Sequence, residues 1–212
     1  GVEARGRISG ADLGLWKDAQ VEPLARVVRF VEAQGAAACL QLAHAGRKAS
    51  VRPPWVQGGA PLLPADGGWV PVAPSPVAFA DGHLAPEALS EEGIREVVLA
   101  FASAARRALD AGFRVLEVHS AHGYLLHQFL SPLANHRHDR YGGSFDNRTR
   151  LAREVVEAVR AAWPERLPLL VRLSCTDWVE GGWDLPQTIE LARRLRHLGV
   201  DLVDCSSGGT VP

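Results

Sequence analysis

The sequence contains no methionine, only two lysines among its 23 basic residues, and only three cysteines. Cys39, Cys175 and Cys205 lie far apart and lack the close spacing of metal ligands, which argues against a disulfide framework or a zinc site. We expect them to be small buried side chains of a protein in a reducing compartment, the cytoplasm. Because no initiator methionine is present, we expect the chain to be part of a longer protein.

Long apolar runs and an excess of one charge are also absent. No apolar run approaches the roughly 18–20 residues of a membrane span. The formal net charge is −1, whereas a nucleic-acid-binding surface needs a clustered excess of Lys and Arg. We therefore expect neither a membrane nor a nucleic acid as a partner. Hydrophobic residues make up 47% of the 212 residues, which is enough for a sizeable core.

Short apolar segments alternate with amphipathic helical patterns along the chain. Such an alternation predicts an α/β fold with a parallel sheet and right-handed crossovers. Four apolar runs are typical of buried parallel strands: Ala37–Leu42, Arg114–His119, Leu169–Leu173 and Asp201–Cys205. Four segments show the i, i+3, i+4, i+7 spacing of a helix with one buried face: Val21–Val31, Ile94–Ala105, Leu151–Val159 and Ile189–Leu198.

The position of the polar residues favours a barrel over an open sheet. No Gly-x-Gly-x-x-Gly follows a predicted strand, and polar residues gather at the carboxyl ends of several strands. Four strands are half of a (β/α)8 TIM barrel, so residues 1–212 are expected to form the middle of one barrel domain. Residues 43–86, rich in Pro and Gly, predict a long lid-like loop, packed through Trp55 and Trp69.

The densest polar segment, Glu117–Tyr124, directly follows a predicted strand. Its two imidazoles, His119 and His122, leave three interpretations open. They could bind a metal ion with His127 as third ligand, donate two hydrogen bonds to a substrate oxygen, or be structural. Tyr124 is either a proton donor or a packed phenol.

Two further strand ends carry candidate binding residues. Gln41 offers an amide donor and acceptor side by side, which suits a nucleobase, a flavin or the backbone of its own loop. Arg47 and Lys48, which follow it, could balance an anion or be solvated. Arg172 lies within an apolar strand, where a cation needs either a bound anion or a partner such as Glu117.

These segments together resemble the old yellow enzyme family of FMN-dependent ene-reductases, and most closely its xenobiotic-reductase-like and thermophilic-like branch. The polar loop Ser131–Ser144, which contains the double glycine, is expected to be folded and held by Asn, Arg and Asp side chains. The resemblance is carried, in order along the chain, by Gln41–Lys48, Glu117–Tyr124, Ser131–Ser144, Asn147–Arg148, Arg172 and Asp204–Gly208.

The resemblance implies a (β/α)8 barrel with FMN across its C-terminal mouth and NADPH or NADH as reductant. Gln41 would hydrogen-bond the pyrimidine edge of the flavin. Arg172 would lie near flavin N1 and O2, where its charge would stabilise the anionic reduced flavin. Family members are usually dimers or tetramers, so a homodimer or homotetramer of the full-length protein is implied.

The resemblance also implies the reaction, which is reduction of the activated C=C bond of an α,β-unsaturated carbonyl or nitro compound. His119 and His122 would bind the substrate oxygen, and a hydride would reach Cβ while a proton arrives at Cα. Tyr124 matches the proton donor, and Lys48 matches a basic residue near the pocket. Two alternatives remain: a flavin-free metal-dependent hydrolase using His119, His122 and His127, and a non-catalytic truncated barrel.

Overall fold

A parallel sheet with helices packed on one of its faces organises the chain. The computed structural model describes residues 1–212. The helices and strands, in chain order, are α1 (Val21–Ala33), β1 (Cys39–Leu42), β2 (Val72–Ala73), β3 (Glu87–Ala88), α2 (Glu91–Asp110), β4 (Val115–Ser120), α3 (Leu125–Leu130), α4 (Phe145–Arg148), α5 (Arg150–Ala162), β5 (Leu169–Ser174), α6 (Leu185–His197) and β6 (Leu202–Ser206).

The main sheet has the strand order β1-β4-β5-β6, and all its pairings are parallel. These are the four strands predicted from the sequence, and α1, α2, α5 and α6 are the four predicted helices, so the predicted alternation is confirmed. The sequence did not predict the short helix α4. It also missed the small parallel pair β2–β3, which lies at the end of the long loop.

The core lies between the sheet and its helices. Leu116 and Val118 of β4 have no exposed surface and pack towards Ile94, Val97 and Phe101 of α2, which are also fully buried. The Ser90 hydroxyl caps α2 by accepting a hydrogen bond from the Gly93 N–H at 3.1 Å. None of the helices is both long and apolar enough to cross a bilayer.

Two residues of the predicted apolar helix faces are on the outside. Val27 of α1 is 55% exposed and Ile189 of α6 is 45% exposed. In α6 the face that meets the sheet is formed by Thr188, Leu191 and Leu195, which are buried. Ile189 lies about 100° around the helix from Thr188, so it points away from this face.

The three cysteines are not the buried side chains that we expected. Cys39 and Cys205 are exposed, Cys175 is half-buried, and all three are free thiols. Cys39 lies on β1 and Cys205 on β6, the first and last of the four strands that this chain contributes, where no further strand of the chain covers them.

The long loop, residues 43–86, contains three single-turn 3-10 helices and β2. Trp69 packs as expected: its indole N–H donates to the Arg5 carbonyl at 2.8 Å, and the Arg7 guanidinium lies 4.9 Å from its ring centroid. Trp55 does not pack and is 79% exposed. The indole of Trp55 therefore contributes nothing to holding this loop.

The polar loop Ser131–Ser144 is folded and held by its own side chains, as predicted. The Asn135 amide donates to the carbonyl oxygens of Phe129 and Tyr141 at 2.7 and 2.8 Å. The Arg137 guanidinium pairs with Asp139 and also donates to the Leu89 carbonyl at 2.5 Å. This loop therefore joins the end of the long loop to the region beyond α3.

Candidate active site

One face of the sheet carries polar side chains instead of a core. Side chains alternate along a strand, so while Leu116, Val118 and Ser120 of β4 face the helices, its remaining side chains point to the opposite face. Strand register then aligns these side chains in rows across the sheet. We call this surface the inner face; it is formed by Gln41, Glu117, His119, Arg172, Asp204 and Ser206.

The two predicted histidines meet at the carboxyl end of β4. His119 Nε2 lies 3.3 Å from His122 Nδ1, and His122 Nε2 lies 2.5 Å from the Ser206 hydroxyl. His119 Nδ1 accepts the Ala121 N–H at 3.1 Å, so this nitrogen carries no proton. The network thus assigns the protons to both Nε2 atoms: His119 donates to His122, and His122 donates to Ser206.

The surroundings keep both imidazoles neutral. Burial lowers the pKa of His119 to about 3, and repulsion from His122 and Arg172 acts in the same direction. Burial, with Arg172 next, also lowers the pKa of His122. At neutral pH each ring is therefore one N–H donor and one acceptor, not a cation. Such donors suit an oxygen that gains negative charge during a reaction.

A strained turn places His122 opposite His119. His122 has φ +57°, which is rare outside glycine, and Gly123 follows with φ +70°. A Cβ on Gly123 would lie 1.9 Å from the Gly209 carbonyl oxygen, so only glycine fits at this close approach. The His122 N–H donates to the Ser174 hydroxyl at 2.9 Å. The turn is thus held by the ends of β5 and β6.

Lys48 is neither solvated nor free. Its ammonium donates to the carbonyl oxygens of His122 and Gly209 at 3.0 and 3.1 Å. Burial, and then the neighbouring Arg47, lowers its pKa. The Phe79 ring of the long loop lies 4.3 Å from Nζ, at cation–π distance. Lys48 therefore joins the histidine turn, the segment after β6 and the long loop.

Tyr124 packs beside the histidine pair. Its ring meets the His119 ring edge to face, with centroids 5.0 Å apart, and Lys48 Nζ lies 5.4 Å from its centroid. The residue is half-buried, and burial raises the pKa of its phenol. The hydroxyl therefore stays protonated at neutral pH, as a proton donor requires.

Gln41 and Arg172 lie on the same inner face. The exposed Gln41 donates its amide N–H to Glu117 at 2.6 Å. Glu117 is thereby occupied and does not pair with Arg172, contrary to the partner considered from the sequence. Arg172 instead lies beside Asp204, with 3.2 Å between Nε and Oδ2, because the register places them opposite each other.

The donors on the inner face fit the pyrimidine edge of FMN. Arg172 Nε is buried and has no hydrogen-bond partner, since its contact with Asp204 lacks hydrogen-bond geometry. An unsatisfied buried N–H is costly and favours a bound acceptor. Gln41 adds an amide that can both donate and accept on the same face. A ring with an imide edge and neighbouring acceptors satisfies both groups.

His127 does not join the other two histidines. It is buried on α3, where Nδ1 accepts the Gly123 N–H at 2.9 Å and Nε2 lies 3.0 Å from Asp177 Oδ1. Both nitrogens are thus engaged, and no three His, Cys, Asp or Glu side chains of this chain are grouped so that they could hold a metal ion. The three histidines of the metal-dependent alternative are therefore not brought together.

The structure adds residues that the sequence analysis did not select. Ser174, the last residue of β5, could have been found by the rule that functional side chains gather at strand ends. Asp177, Thr210 and Phe79 lie in loops, and nothing in their spacing pointed to the site. A surface cavity of about 640 Å³ lies on the helix side between Val2–Arg5 and α2, away from the inner face.

Comparison with known proteins places this site in a family. The sequence model of the NADH:flavin oxidoreductase / NADH oxidase family matches residues 1–211. A NADH:flavin oxidoreductase of Gibberella zeae is 47% identical and is matched over 100% of this chain and 54% of its own length. An NADPH dehydrogenase of Bacillus subtilis is 43% identical, over 99% of this chain and 57% of its own. The chain thus spans about half the length of these curated relatives.

Solved structures agree with the sequence relatives. An old yellow enzyme homologue from Zymomonas mobilis has a TM-score of 0.80 and 32% identity, over 96% of this chain and 57% of its own. Morphinone reductase in complex with tetrahydroNAD has a TM-score of 0.78 and 33% identity, over 96% of this chain and 58% of its own.

These relatives are TIM barrels, which confirms the expected fold: the four strands form part of such a barrel. FMN and a nicotinamide reductant, as expected, are the cofactors of this family. The chain belongs to the NADH:flavin oxidoreductase / NADH oxidase family, which includes the old yellow enzymes.

Proposed function

We propose that the protein carrying this chain is an FMN-dependent oxidoreductase that takes hydride from NADPH or NADH. Its substrate is an α,β-unsaturated carbonyl or nitro compound, whose activated C=C bond it reduces. The neutral His119–His122 pair is the observation that carries this proposal. Its two Nε2–H donors lie at the carboxyl end of β4, the end at which TIM-barrel enzymes react. The relatives named NADPH dehydrogenase support the reductant.

His119 and His122 bind the substrate oxygen in this proposal. Their present acceptors, another imidazole at 3.3 Å and a serine hydroxyl, can be replaced by one substrate oxygen. Two such donors withdraw electrons from the conjugated system and make Cβ electrophilic. Removal of one donor of this kind costs roughly 10²–10³ in rate in other enzymes. Because the imidazoles are neutral, binding does not depend on their protonation at neutral pH.

Tyr124 delivers the proton to Cα. Its hydroxyl is protonated, its ring contacts His119, and it lies one residue beyond the turn that holds His122. Lys48 does not contact the substrate directly in this proposal. Its ammonium is bound by two backbone carbonyls, so it fixes the turn and supplies positive charge near the developing oxyanion.

Gln41 and Arg172 hold the cofactor. The Gln41 amide would hydrogen-bond the pyrimidine edge, and the Arg172 Nε–H, which has no hydrogen-bond partner, would donate to an acceptor on the same ring. FMN, when bound, supplies the hydride chemistry. The permanent charge of Arg172 favours added negative charge on the ring. The homodimeric or homotetrameric state and the cytoplasmic location stay predictions.

The test compares the double variant His119→Ala/His122→Ala with wild type in the natural full-length protein. We expect the variant to keep FMN, because neither residue is among its proposed ligands, and to lose binding of a phenol such as 4-hydroxybenzaldehyde. The matched control is His136→Ala, a histidine outside the inner face. Unchanged phenol affinity in the double variant would remove the basis of the proposal.

The reaction itself is tested by an anaerobic visible spectrum. Wild type with FMN is reduced by NADPH and then mixed with 2-cyclohexenone. Bleaching of the oxidised flavin bands by NADPH and their return with cyclohexenone are the expected result. Flavin that bleaches but is not reoxidised by cyclohexenone or by a nitroalkene would overturn the proposed substrate class while leaving the oxidoreductase in place.

A further inference from the structure

A buried His–Asp pair lies beneath the histidine turn. His127 and Asp177 have side chains with no exposed surface, and His127 Nε2 lies 3.0 Å from Asp177 Oδ1. The carboxylate also accepts hydrogen bonds from Thr210, Ser131 and the Trp183 N–H, at 2.7, 2.6 and 2.7 Å. With all of its acceptor positions used, Asp177 is fixed in place and in turn fixes the His127 ring.

The protonation of this pair follows from its donors. Hydrogen bonds from His127 and the hydroxyl groups lower the pKa of Asp177 to about 2, even though burial opposes them. The carboxylate is therefore ionised at neutral pH. His127 Nδ1 accepts the Gly123 N–H at 2.9 Å, so the ring proton lies on Nε2, which is 3.0 Å from Asp177 Oδ1 and 3.3 Å from the Thr210 hydroxyl. The ring acts as a bridge between the carboxylate and one backbone amide.

That amide belongs to the turn on which the site depends. Gly123 stands between His122 and Tyr124, and both His122 and Gly123 have a positive φ. A turn of this kind stores strain and persists only where its surroundings hold it. Thr210 is hydrogen-bonded to Asp177 and directly follows Gly209, whose carbonyl shares the Lys48 ammonium with that of His122. The pair therefore contacts the turn through the Gly123 amide and the segment after β6 through the Thr210 hydroxyl.

We propose that His127, oriented by Asp177, is a positioning residue that sets the His122–Gly123–Tyr124 turn and with it the two substrate contacts. This inference rests on the proposed function for the meaning of those contacts, but not for the geometry of the turn. It gives a role to a fully buried His–Asp pair whose members do not contact the substrate or the cofactor in the proposed reaction.

Two substitutions of His127 separate positioning from simple packing. The amide oxygen of Asn can take the place of Nδ1, so His127→Asn keeps an acceptor for Gly123 and loses the donor to Asp177. The amide nitrogen of Gln can take the place of Nε2, so His127→Gln keeps the donor and loses the acceptor. Both variants leave a polar, smaller or more flexible side chain in the same cavity.

The first measurement is hydrogen–deuterium exchange of the Gly123 amide in the unliganded full-length protein. We expect exchange to accelerate by about tenfold or more in His127→Gln, and to stay within about threefold of wild type in His127→Asn. Equal acceleration in both variants, or none in His127→Gln, would overturn the inference. Because no ligand is present, this result does not depend on the proposed function.

The second measurement is the dissociation constant of 4-hydroxybenzaldehyde, with FMN content as the control. His127→Gln should bind the phenol about tenfold more weakly at unchanged FMN content, since a buried N–H left without a partner costs about that factor. His127→Asn should recover most of the affinity. Wild-type affinity in His127→Gln would overturn the link between turn and site. Wild type that binds no phenol but shows the expected amide exchange would overturn the proposed function alone.

Discussion

Burial of a neutral His119 should make the protein sensitive to mild acid. The side chain is 4% exposed, and its pKa falls to about 3 in the folded state. In the unfolded chain a histidine titrates near pH 6.5. The folded state thus binds fewer protons than the unfolded state between these two values. The part of the folding stability that neutral His119 contributes is fully present above about pH 6.5 and is lost as the pH falls towards about 3.

The size of the effect follows from linkage. Once the unfolded histidine is protonated, each pH unit removes about 1.4 kcal/mol from the free energy of unfolding. Integrated from pH 7 to pH 5, a single such residue contributes about 2 kcal/mol. Glu3 and Asp177, whose pKa values are lowered to about 2, act in the same direction but only below about pH 4.5. The window from pH 5 to pH 7 is therefore free of their contribution.

His119→Asn is the variant that isolates this term. Its amide oxygen can accept the Ala121 N–H in place of Nδ1, so the strand end keeps its hydrogen bond. Urea unfolding at pH 5, 6 and 7, at one FMN concentration, should show wild type losing about 2 kcal/mol more than the variant between pH 7 and pH 5. His197→Asn, on the exposed end of α6, should follow wild type. A difference between wild type and His119→Asn that changes by less than about 0.5 kcal/mol would refute the reasoning.

Three further outcomes follow from the same contacts. Tyr124→Phe should slow reoxidation of the reduced enzyme by cyclohexenone far more than its reduction by NADPH, measured by stopped flow; equal slowing would argue against proton donation. Gly123→Ala should destabilise the fold by at least about 2 kcal/mol in urea, because its Cβ would lie 1.9 Å from the Gly209 oxygen; Gly181→Ala, whose Cβ would meet nothing within 4 Å, is the control for the cost of a positive φ. Arg172→Gln should weaken FMN binding at least about tenfold by fluorescence titration, and wild-type affinity there would exclude Arg172 as a ligand.

Local patterns were enough to predict the strands and helices. Ser90 and the apolar positions of α2 define that helix by themselves, and the alternation of elements then requires parallel strands. The same alternation brings strand ends together, which is why the sequence predicts His119 and Arg172 at one site. Their side-by-side position depends only on strand order and register, which are strongly constrained in such folds.

Side-chain pairings were harder to predict, because a shift of one residue in strand register changes which side chains lie opposite each other. Glu117 and Asp204 both lie on the inner face, and either could have neutralised Arg172. In the structure Arg172 is level with Asp204 on the next strand, and Glu117 is level with Gln41 and hydrogen-bonded to it.

The three histidines show most clearly where spacing stops being informative. His119, His122 and His127 are close in sequence, and histidine is a common metal ligand. The positive φ at His122 and Gly123 turns the chain back on itself, so α3 carries His127 beneath the turn instead of beside the other two rings. The direction of one hydrogen bond, from the Gly123 amide to the His127 ring, then separates the roles. His119 and His122 keep N–H donors that a ligand can reach. Both nitrogens of His127 instead make contacts that hold the turn carrying His122.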